Sequence, residues 1–467
     1  MSRWGWVLAL GGLACKDKDG EETGTPADTF VSALTVSPTD VATVARVAFE
    51  TEADATAWLE FNVDGTCAGL RTPDTTGTAH SALVLGVPAS AEACGVAVAV
   101  DADGVAHRSA PWTFEAGPPP QGTAIPSITV DDPTGYTEPY TLAAMIREPP
   151  QHWVIDRQGQ LVWGNLLDPS RQTVDIQPTG DGFSFCDYAE DHSVDDSYVR
   201  YLGMDGVVTA DVRTELAHHA YDVLDDGSIG FLAIDVRPMD GFDEPVVGDA
   251  IVIQSPEGTS RILWSAWDDA DRIPLVIDAD NTGFYPQGID WTHGNYLEYN
   301  AARDSWLVSF RNLNSVIEFS NVDGSWMRSF GEFGTYTLRD EQGTTLDWQI
   351  IGHPHNAMYT ADGTIVMLTM PTDVNGNEQE SLVLELAVDD ATQTVDIVWR
   401  YGEGLGFFAN VQGSGIRLAN GNTLINWGAA GVIQEVTADK VVVWEGRFGI
   451  GNFAGLVRPL DTFYPGL

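Results

Sequence analysis

The sequence predicts an all-β protein in which a six-bladed β-propeller follows a small β-sandwich. Three observations support this prediction. Among the 467 residues, Gly (48) and Trp (15) are abundant, and 43% of residues are hydrophobic. Short apolar runs rich in Val, Thr and Ile recur between turn residues, whereas long helical patterns are missing. From about residue 124 onward, a pair of strands that often ends in Trp recurs six times.

The first segment, residues 1–15, is typical of an export signal. Arg3 supplies its positive end, and the apolar run that follows is too short to span a membrane. Cys15 follows Gly12-Leu13-Ala14, which resembles a bacterial lipobox, so we expect a lipid anchor at Cys15. Simple cleavage or an uncleaved apolar start is the alternative. The expected location is that of an exported bacterial lipoprotein, in the periplasm, at the outer membrane or on the cell surface.

Residues 16–29 form a charged tether without apolar periodicity, which indicates disorder. The whole chain is strongly acidic, with a formal net charge of −45 at pH 7. Such a field repels phosphate backbones, so we expect no nucleic-acid partner. The charge otherwise suits a well-solvated surface or a salty or calcium-rich exterior. Contact with a membrane is expected only through the lipid at Cys15.

Residues 30–116 contain six or seven short alternating strands separated by turn residues. This pattern predicts a β-sandwich and resembles a fibronectin type III or related immunoglobulin-like module. Cys67 and Cys94 fall within it and could form a disulfide in an exported protein. The remaining Cys186 is expected to be a buried apolar thiol rather than a nucleophile. A Pro-rich linker follows at residues 117–123.

Residues 124–467 carry the repeats that predict the propeller. The six strand pairs recur at intervals of roughly 40 to 70 residues, within the range of propeller repeats. We interpret their closing Trp residues as packing between blades. Their sequences are WVIDRQGQLVW, YVRYLGMDGVVTADV, IVIQSPEGTSRILW, VIEFSNVDGSWMRSF, LVLELAVDDATQTVDIVW and VIQEVTADKVVVW.

Partner strand pairs lie between these repeats, and the first strand of each should line the propeller axis. Five pairs are clear, and the sixth is expected from the less regular region 130–148. His219, His293 and His355 begin three of the first strands. Because equivalent positions of a repeat occupy equivalent places in space, the sequence predicts a funnel mouth near the axis ringed by these three histidines. A structural role is the alternative for each of them.

The chemistry of this predicted mouth depends on Arg311, which ends the strand after His293. Imidazole can act as a nucleophile, an acid or a hydrogen-bond donor, and three imidazoles could also hold zinc. A permanent cation beside a metal is unfavourable, whereas a guanidinium suits sulfate or phosphate oxygens. The site is therefore expected to bind an anionic group, without a metal or other cofactor.

Four polar neighbours accompany these histidines along the chain. We interpret His218 and His353 as supporting or structural residues, because each adjoins one of the candidate strands. Asn295 and Asn356 are expected to orient imidazole rings or to cap turns.

The region from about 140 to 460 resembles the bacterial arylsulfate sulfotransferase family, whose members are six-bladed propellers with a small amino-terminal β-sandwich. The most specific matching segment contains both His293 and Arg311. The matching segments are HHAYDVLDDG, DWTHGNYLEYNAARDSWLVSFRN, GHPHNAMYTADGT and GIRLANGNTLINWGAAGVIQEVTADKVVVWE.

This resemblance implies transfer of a sulfuryl group from an aryl sulfate to a phenolic acceptor, without the nucleotide donor PAPS. It implies that His355 is the nucleophile that becomes transiently sulfated and that His293 is the acid and base. It also implies that Arg311 and His219 bind the sulfuryl oxygens. Two alternatives remain open, a non-catalytic tethered propeller that binds a glycan, peptide or protein, and a metal-dependent hydrolase or lyase.

Overall fold

The structure is a computed structural model that describes residues 29–146, 149–189, 196–273, 275, 284–373 and 376–464. Cys15 and the predicted export signal lie outside these residues, as does the predicted tether up to residue 28. Regular structure in the described ranges is almost all β-strand, with short 3-10 helices at Ala266–Asp269, Trp348–Ile351 and Gly428–Ala430. No helix in this part of the chain is both long and apolar enough to cross a membrane.

The amino-terminal module is one continuous hydrogen-bonded network of seven strands. The long strand β2 joins them, since its first half pairs with β1 and β4 and its second half pairs with β5. Its alternate residues, including Val47 and Leu59, are buried in a shared core. The strands are β1 (Val31–Pro38), β2 (Ala45–Asn62), β3 (Leu70–Arg71), β4 (Thr75–Val84), β5 (Glu92–Val100), β6 (Ala106–Arg108) and β7 (Trp112–Glu115).

Cys67 and Cys94 are joined in a disulfide within this module, and their Cα atoms lie 4.5 Å apart. The topology does not confirm two separate facing sheets, so the immunoglobulin-like sandwich stays a prediction. A stretch without strands follows β7 and covers the predicted linker.

The rest of the described chain forms the six sheets of a β-propeller, which confirms the predicted architecture. The strands of its first half are β8 (Ser127–Asp131), β9 (Tyr140–Met145), β10 (Gln151–Asp156), β11 (Leu161–Leu166), β12 (Arg171–Gln172), β13 (Ile176–Pro178), β14 (Gly182–Ala189), β15 (Tyr198–Gly203), β16 (Val208–Arg213), β17 (Ala217–Val223), β18 (Ile229–Arg237), β19 (Val246–Gln254), β20 (Ser260–Ser265) and β21 (Ile289–Asp290). Those of its second half are β22 (Gly294–Asn300), β23 (Ser305–Phe310), β24 (Ser315–Ser320), β25 (Trp326–Gly331), β26 (Thr337–Arg339), β27 (His355–Tyr359), β28 (Ile365–Thr369), β29 (Leu382–Asp389), β30 (Thr394–Tyr401), β31 (Ser414–Arg417), β32 (Thr423–Asn426), β33 (Val432–Val436), β34 (Val442–Arg447) and β35 (Ala454–Leu460).

Five blades follow chain order as antiparallel strands, namely β13–β16, β17–β20, β22–β25, β27–β30 and β31–β34. The six strand pairs found in the sequence are the two outer strands of each blade, as predicted. Short strands extend four sheets: β12 pairs with β14, β21 with β19, β26 with β30, and β8 with β34.

The remaining blade differs from the sequence prediction. Its order is β35-β9-β10-β11, so its innermost strand comes from the carboxyl-terminal segment rather than from region 130–148. That region supplies the second strand, β9, whereas β8 joins the outer edge of the last blade. The prediction was wrong on this point because β35 and β9 are not joined by a hairpin, so no turn signal marks their pairing.

Tryptophan side chains connect successive blades. Trp163, Trp399 and Trp444 each donate the indole N–H to a backbone carbonyl of the following blade, at 2.9, 3.0 and 2.8 Å respectively. All three side chains are buried. This agrees with the interpretation of the strand-closing Trp residues as packing between blades.

Candidate active site

The innermost strands of three successive blades, β17, β22 and β27, each have a β-bulge or a similar irregularity near their histidine. Their register shifts lie between His218 and Tyr221, between Gly294 and Tyr296, and between His355 and Met358. Such bulges bend a strand and redirect its side chains, and they are common beside active sites.

Two of these histidines adopt a left-handed backbone, with φ of 54° at His219 and 47° at His293. This conformation is unfavourable for a residue other than Gly and is found mainly at functional sites. The strands of the three blades run in the same sense, so the redirected side chains share one end of the axis.

The rings of His219 and His293 are neighbours, with centroids 5.4 Å apart. Phe284 lies against both, with its centroid 5.9 Å from that of His219 and 4.5 Å from that of His293. The two histidines are buried, whereas Phe284 is 37% exposed. Tyr188 and Tyr285 complete the aromatic surroundings, at 6.3 Å from His219 and 6.5 Å from His293.

His293 is held by Asp290, whose Oδ2 lies 2.5 Å from His293 Nδ1. Asp290 is fully buried and ends β21, which pairs in parallel with the start of β19. An ionised carboxylate only accepts hydrogen bonds, so it keeps the proton on Nδ1 and directs the Nε2 atom away. This pairing is common in residues that transfer protons during catalysis.

A second buried carboxylate, Asp249, lies between the strands that carry the histidines. Its Oδ1 is 2.9 Å from His218 Nε2, and its Oδ2 accepts hydrogen bonds from Thr292 Oγ1 and Gly294 N, both at 2.5 Å. Burial by itself raises the pKa of Asp249, but these partners lower it to below its ordinary value. A Cβ atom at position 294 would lie 3.1 Å from the carboxyl group, so Gly allows this close approach.

The side chains of His218 and His219 also contact each other. Their Nδ1 atoms lie 2.8 Å apart, and their rings are nearly perpendicular, at 89°. Both side chains are buried. Asp249 is thereby connected to the ring of His219 through His218.

His355 begins β27, and its Nδ1 donates a hydrogen bond to the backbone carbonyl of His353 at 3.1 Å. A carbonyl oxygen cannot donate, so the proton is on Nδ1 and Nε2 keeps its lone pair. Burial lowers the pKa of His355 to about 3, and the charges of Arg311 and His293 act in the same direction. His355 is therefore a neutral imidazole at physiological pH.

Arg311 immediately follows β23 and is held beside His293, because its backbone N–H donates to the His293 carbonyl at 2.9 Å. Its Nη1 donates to Asn312 Oδ1 at 3.0 Å, and the Asn312 amide donates to the Asp290 carbonyl at 3.1 Å. The four residues named from the sequence, His219, His293, Arg311 and His355, thus belong to one connected region.

Asn295 and Asn356 have a different role from either one expected. Asn295 Nδ2 donates to the Pro354 carbonyl at 2.9 Å, and Asn356 Nδ2 donates to the Gly413 carbonyl at 2.7 Å. Both carbonyls belong to the segment that enters the next blade. The two amides therefore join inner strands across blades at the level of the histidines.

Sequence reasoning missed Asp249, Asp290 and Phe284. Asp290 lies three residues before His293, a local spacing that could have pointed to it. Asp249 is the single charged residue of β19, which is apolar apart from Asp249 and its last residue, Gln254, and this is a signal for a paired buried carboxylate. Neither the repeats nor a local spacing in the sequence points to Phe284.

The thiol of Cys186 is buried, and burial together with the negative charge of Asp187 raises its pKa. It therefore stays protonated, as expected for a residue that is not a nucleophile. Within the described ranges, no group of three or more His, Cys, Asp or Glu side chains is arranged to hold a metal ion.

Among solved structures, the chain is similar to a protein of unknown function from Bacteroides caccae, with 12% identity over 70% of this chain and 100% of that chain, at a TM-score of 0.43. It is also similar to a putative 6-phosphogluconolactonase from Bacteroides uniformis, with 13% identity over 87% and 99% and a TM-score of 0.38. A streptogramin B lyase structure shows 11% identity over 70% and 88%, with a TM-score of 0.37. Likenesses this distant carry no argument about function.

No curated protein matches the chain. The sequence model of the arylsulfotransferase (ASST) family matches residues 128–448, which is more than half of the chain and includes every residue of the candidate site. The chain belongs to the arylsulfotransferase family.

Proposed function

We propose that this protein is a PAPS-independent aryl sulfotransferase that moves a sulfuryl group from an aryl sulfate to a phenolic acceptor through a sulfated His355. Family membership supports an aryl sulfate donor and a phenol acceptor. The observation that carries the mechanism is the state of His355, a buried neutral imidazole with its lone pair on Nε2 and the charge of Arg311 nearby.

In the first step, His355 Nε2 attacks the sulfur atom of the donor, and the bond from sulfur to the phenolic oxygen breaks. His293 donates a proton to the departing phenolate. In the second step, His293 removes the proton of the acceptor phenol, whose oxygen attacks the sulfur while the bond from nitrogen to sulfur breaks. Two displacements through a covalent intermediate replace one difficult transfer.

The charge that develops on the sulfuryl oxygens requires fixed donors. We assign this role to Arg311 and His219, because a guanidinium forms paired hydrogen bonds to such oxygens. Sulfuryl transfer resembles phosphoryl transfer in spreading negative charge over peripheral oxygens. Asp290 keeps the Nε2 atom of His293 directed away from the carboxylate, where it can exchange a proton with the phenol.

An exported, lipid-anchored location remains part of this proposal, supported by the lipobox-like sequence before Cys15. Mass spectrometry of the mature amino terminus would check it. An amino terminus other than a lipid-modified Cys15 would contradict the anchor and leave the proposed chemistry unaffected.

The test is incubation with 4-nitrophenyl sulfate, with and without an added phenol. We expect faster release of nitrophenol with the acceptor, ping-pong kinetics, and loss of both half-reactions in His355→Ala. Arg311→Ala should raise the barrier by about 3 kcal/mol, typical of losing one oxyanion-stabilising group. His107→Gln, in the amino-terminal module, is the matched control and should keep wild-type turnover.

Full turnover by His355→Ala would overturn the sulfo-histidine mechanism. Inactivation of the wild-type protein by a chelator would instead favour the metal-dependent alternative. A wild-type protein that binds aryl sulfates without turnover would favour a binding module.

A further inference from the structure

The contact between His218 and His219 has a local cause in the chain. Successive residues of a regular strand point to opposite faces, so neighbouring side chains do not meet. Here the bulge in β17 and the positive φ of His219 bring both rings to the same side. Their Nδ1 atoms come to 2.8 Å, which is hydrogen-bond distance.

Proton positions in this contact follow from the partners. His218 Nε2 faces Asp249 Oδ1 at 2.9 Å, and the ionised carboxylate can only accept, so His218 Nε2 carries a proton. Two bare lone pairs would repel at the distance of the Nδ1 atoms, so one further proton lies between them. The one ring nitrogen left to assign is His219 Nε2. If it carries a proton, the pair has one positive charge, and if it does not, the pair is neutral.

The surroundings favour a positive charge on the pair. Asp249 is almost fully buried, and a buried carboxylate requires a compensating cation. His293 is paired with its own carboxylate, Asp290. Tyr188 and Tyr285 face the two histidines from β14 and from the segment before β22, and burial raises the pKa of both phenols, so they stay neutral.

We propose that His218 and His219 form an imidazole–imidazolium pair that shares one proton between their Nδ1 atoms, with Asp249 as the counter-ion. The pair carries one positive charge and keeps a proton on His219 Nε2. Resting on the proposed function, this assigns His218 and Asp249 as positioning residues that make His219 a hydrogen-bond donor to the sulfuryl oxygens. A lone neutral histidine could present either a donor or an acceptor there.

The direct test is nitrogen-15 NMR of histidine-labelled wild-type protein without substrate, with His219→Gln used to assign the signals. At pH 7 we expect His219 Nε2 to have the chemical shift of a protonated nitrogen. In Asp249→Asn we expect His219 Nε2 to lose this proton at pH 7, because the adjacent negative charge that stabilises the charged form is gone. A bare His219 Nε2 in wild-type protein at pH 7 would overturn the pair.

The matched control is Thr292→Val, which removes a hydrogen bond to Asp249 but keeps the carboxylate charge. It should leave the protonation of His219 close to wild type. Equal shifts in the two variants would show a structural effect and would contradict the role of the charge. If Asp249→Asn does not fold, the wild-type spectrum at pH 7 still decides the proposal.

Inorganic sulfate provides a second readout. Asp249→Asn should bind sulfate at least about tenfold more weakly at pH 7, the order of one charge-assisted hydrogen bond. Affinity equal to wild type would contradict the pair. A protonated His219 Nε2 in a protein that never turns over aryl sulfates would refute the proposed function and leave the pair intact.

Discussion

At the scale of single residues, the three histidines of the site differ in what occupies Nδ1. In His355 the partner is a backbone carbonyl, in His293 it is a carboxylate, and in His219 it is another imidazole. These partners divide the roles of nucleophile, proton carrier and anion donor in the proposed reaction. The repeat could predict the histidines themselves, but Asp249 comes from a different strand with no fixed spacing to His218.

Phe284 provides a prediction about substrate recognition. Its ring lies against His219 and His293 and is 37% exposed. We expect Phe284→Ala to raise KM for 4-nitrophenyl sulfate about tenfold with a smaller effect on kcat, because loss of one aromatic contact costs about 0.5–1.5 kcal/mol in addition to buried area.

Phe284→Leu is the matched variant, since it keeps apolar volume but not the aromatic face. Steady-state kinetics of the two variants would separate the contribution of apolar volume from that of the aromatic face. An unchanged KM in Phe284→Ala would show that the aryl group binds elsewhere.

At the scale of strands, the site depends on irregular backbone at the start of β17, β22 and β27. Alternating apolar residues and turn glycines predicted the strands of five blades and their order correctly. They could not predict the bulges, because a bulge depends on pairing between two strands and on contacts with other residues. One such contact is the hydrogen bond that the Gly294 N–H donates to the Asp249 carboxylate.

Replacing Asn295 tests which contacts fix the first residues of these strands. Its amide joins the Pro354 carbonyl, next to His355, and its oxygen accepts a hydrogen bond from Ser309 at 2.7 Å. Asn295→Ala should lower the free energy of unfolding by about 1–3 kcal/mol, because it leaves buried partners unsatisfied. It should also lower kcat, because the segment that carries His355 loses a fixed contact.

Urea unfolding and turnover of the same preparation would measure both effects. Asn62→Ala is the control, because Asn62 also donates to a backbone carbonyl, that of Ala68, but at an exposed position in the amino-terminal module. Equal losses in the two variants would contradict a special role for the contact between blades.

At the scale of the whole molecule, the sequence predicted six blades but not how the ring closes. Repeats report what each segment shares with the others, whereas closure depends on two pairings between distant segments, β8 with β34 and β35 with β9. A side-chain contact supports the second pairing: Arg458 of β35 forms two hydrogen bonds of 3.0 Å with Asp175, which immediately precedes β13 in the next blade. The carboxylate of Asp175 is buried.

Arg458→Met should therefore destabilise the protein by about 3–5 kcal/mol, because it leaves a buried carboxylate without its partner. Adding Asp175→Asn should recover part of this loss. Urea unfolding of the two single variants and the double variant gives the coupling energy. Additive losses would show that the pair contributes nothing of its own to closure.

The position of β35 also has a consequence in time. Until residues 454–460 are available, the inner edge of β9 has no partner strand, and an unpaired strand edge is prone to associate with other chains. If the chain is exported unfolded through the predicted signal, β35 crosses the membrane after every other strand of the propeller. The ring would then be completed only on the far side of the membrane, and the compartment of synthesis would never contain the finished molecule.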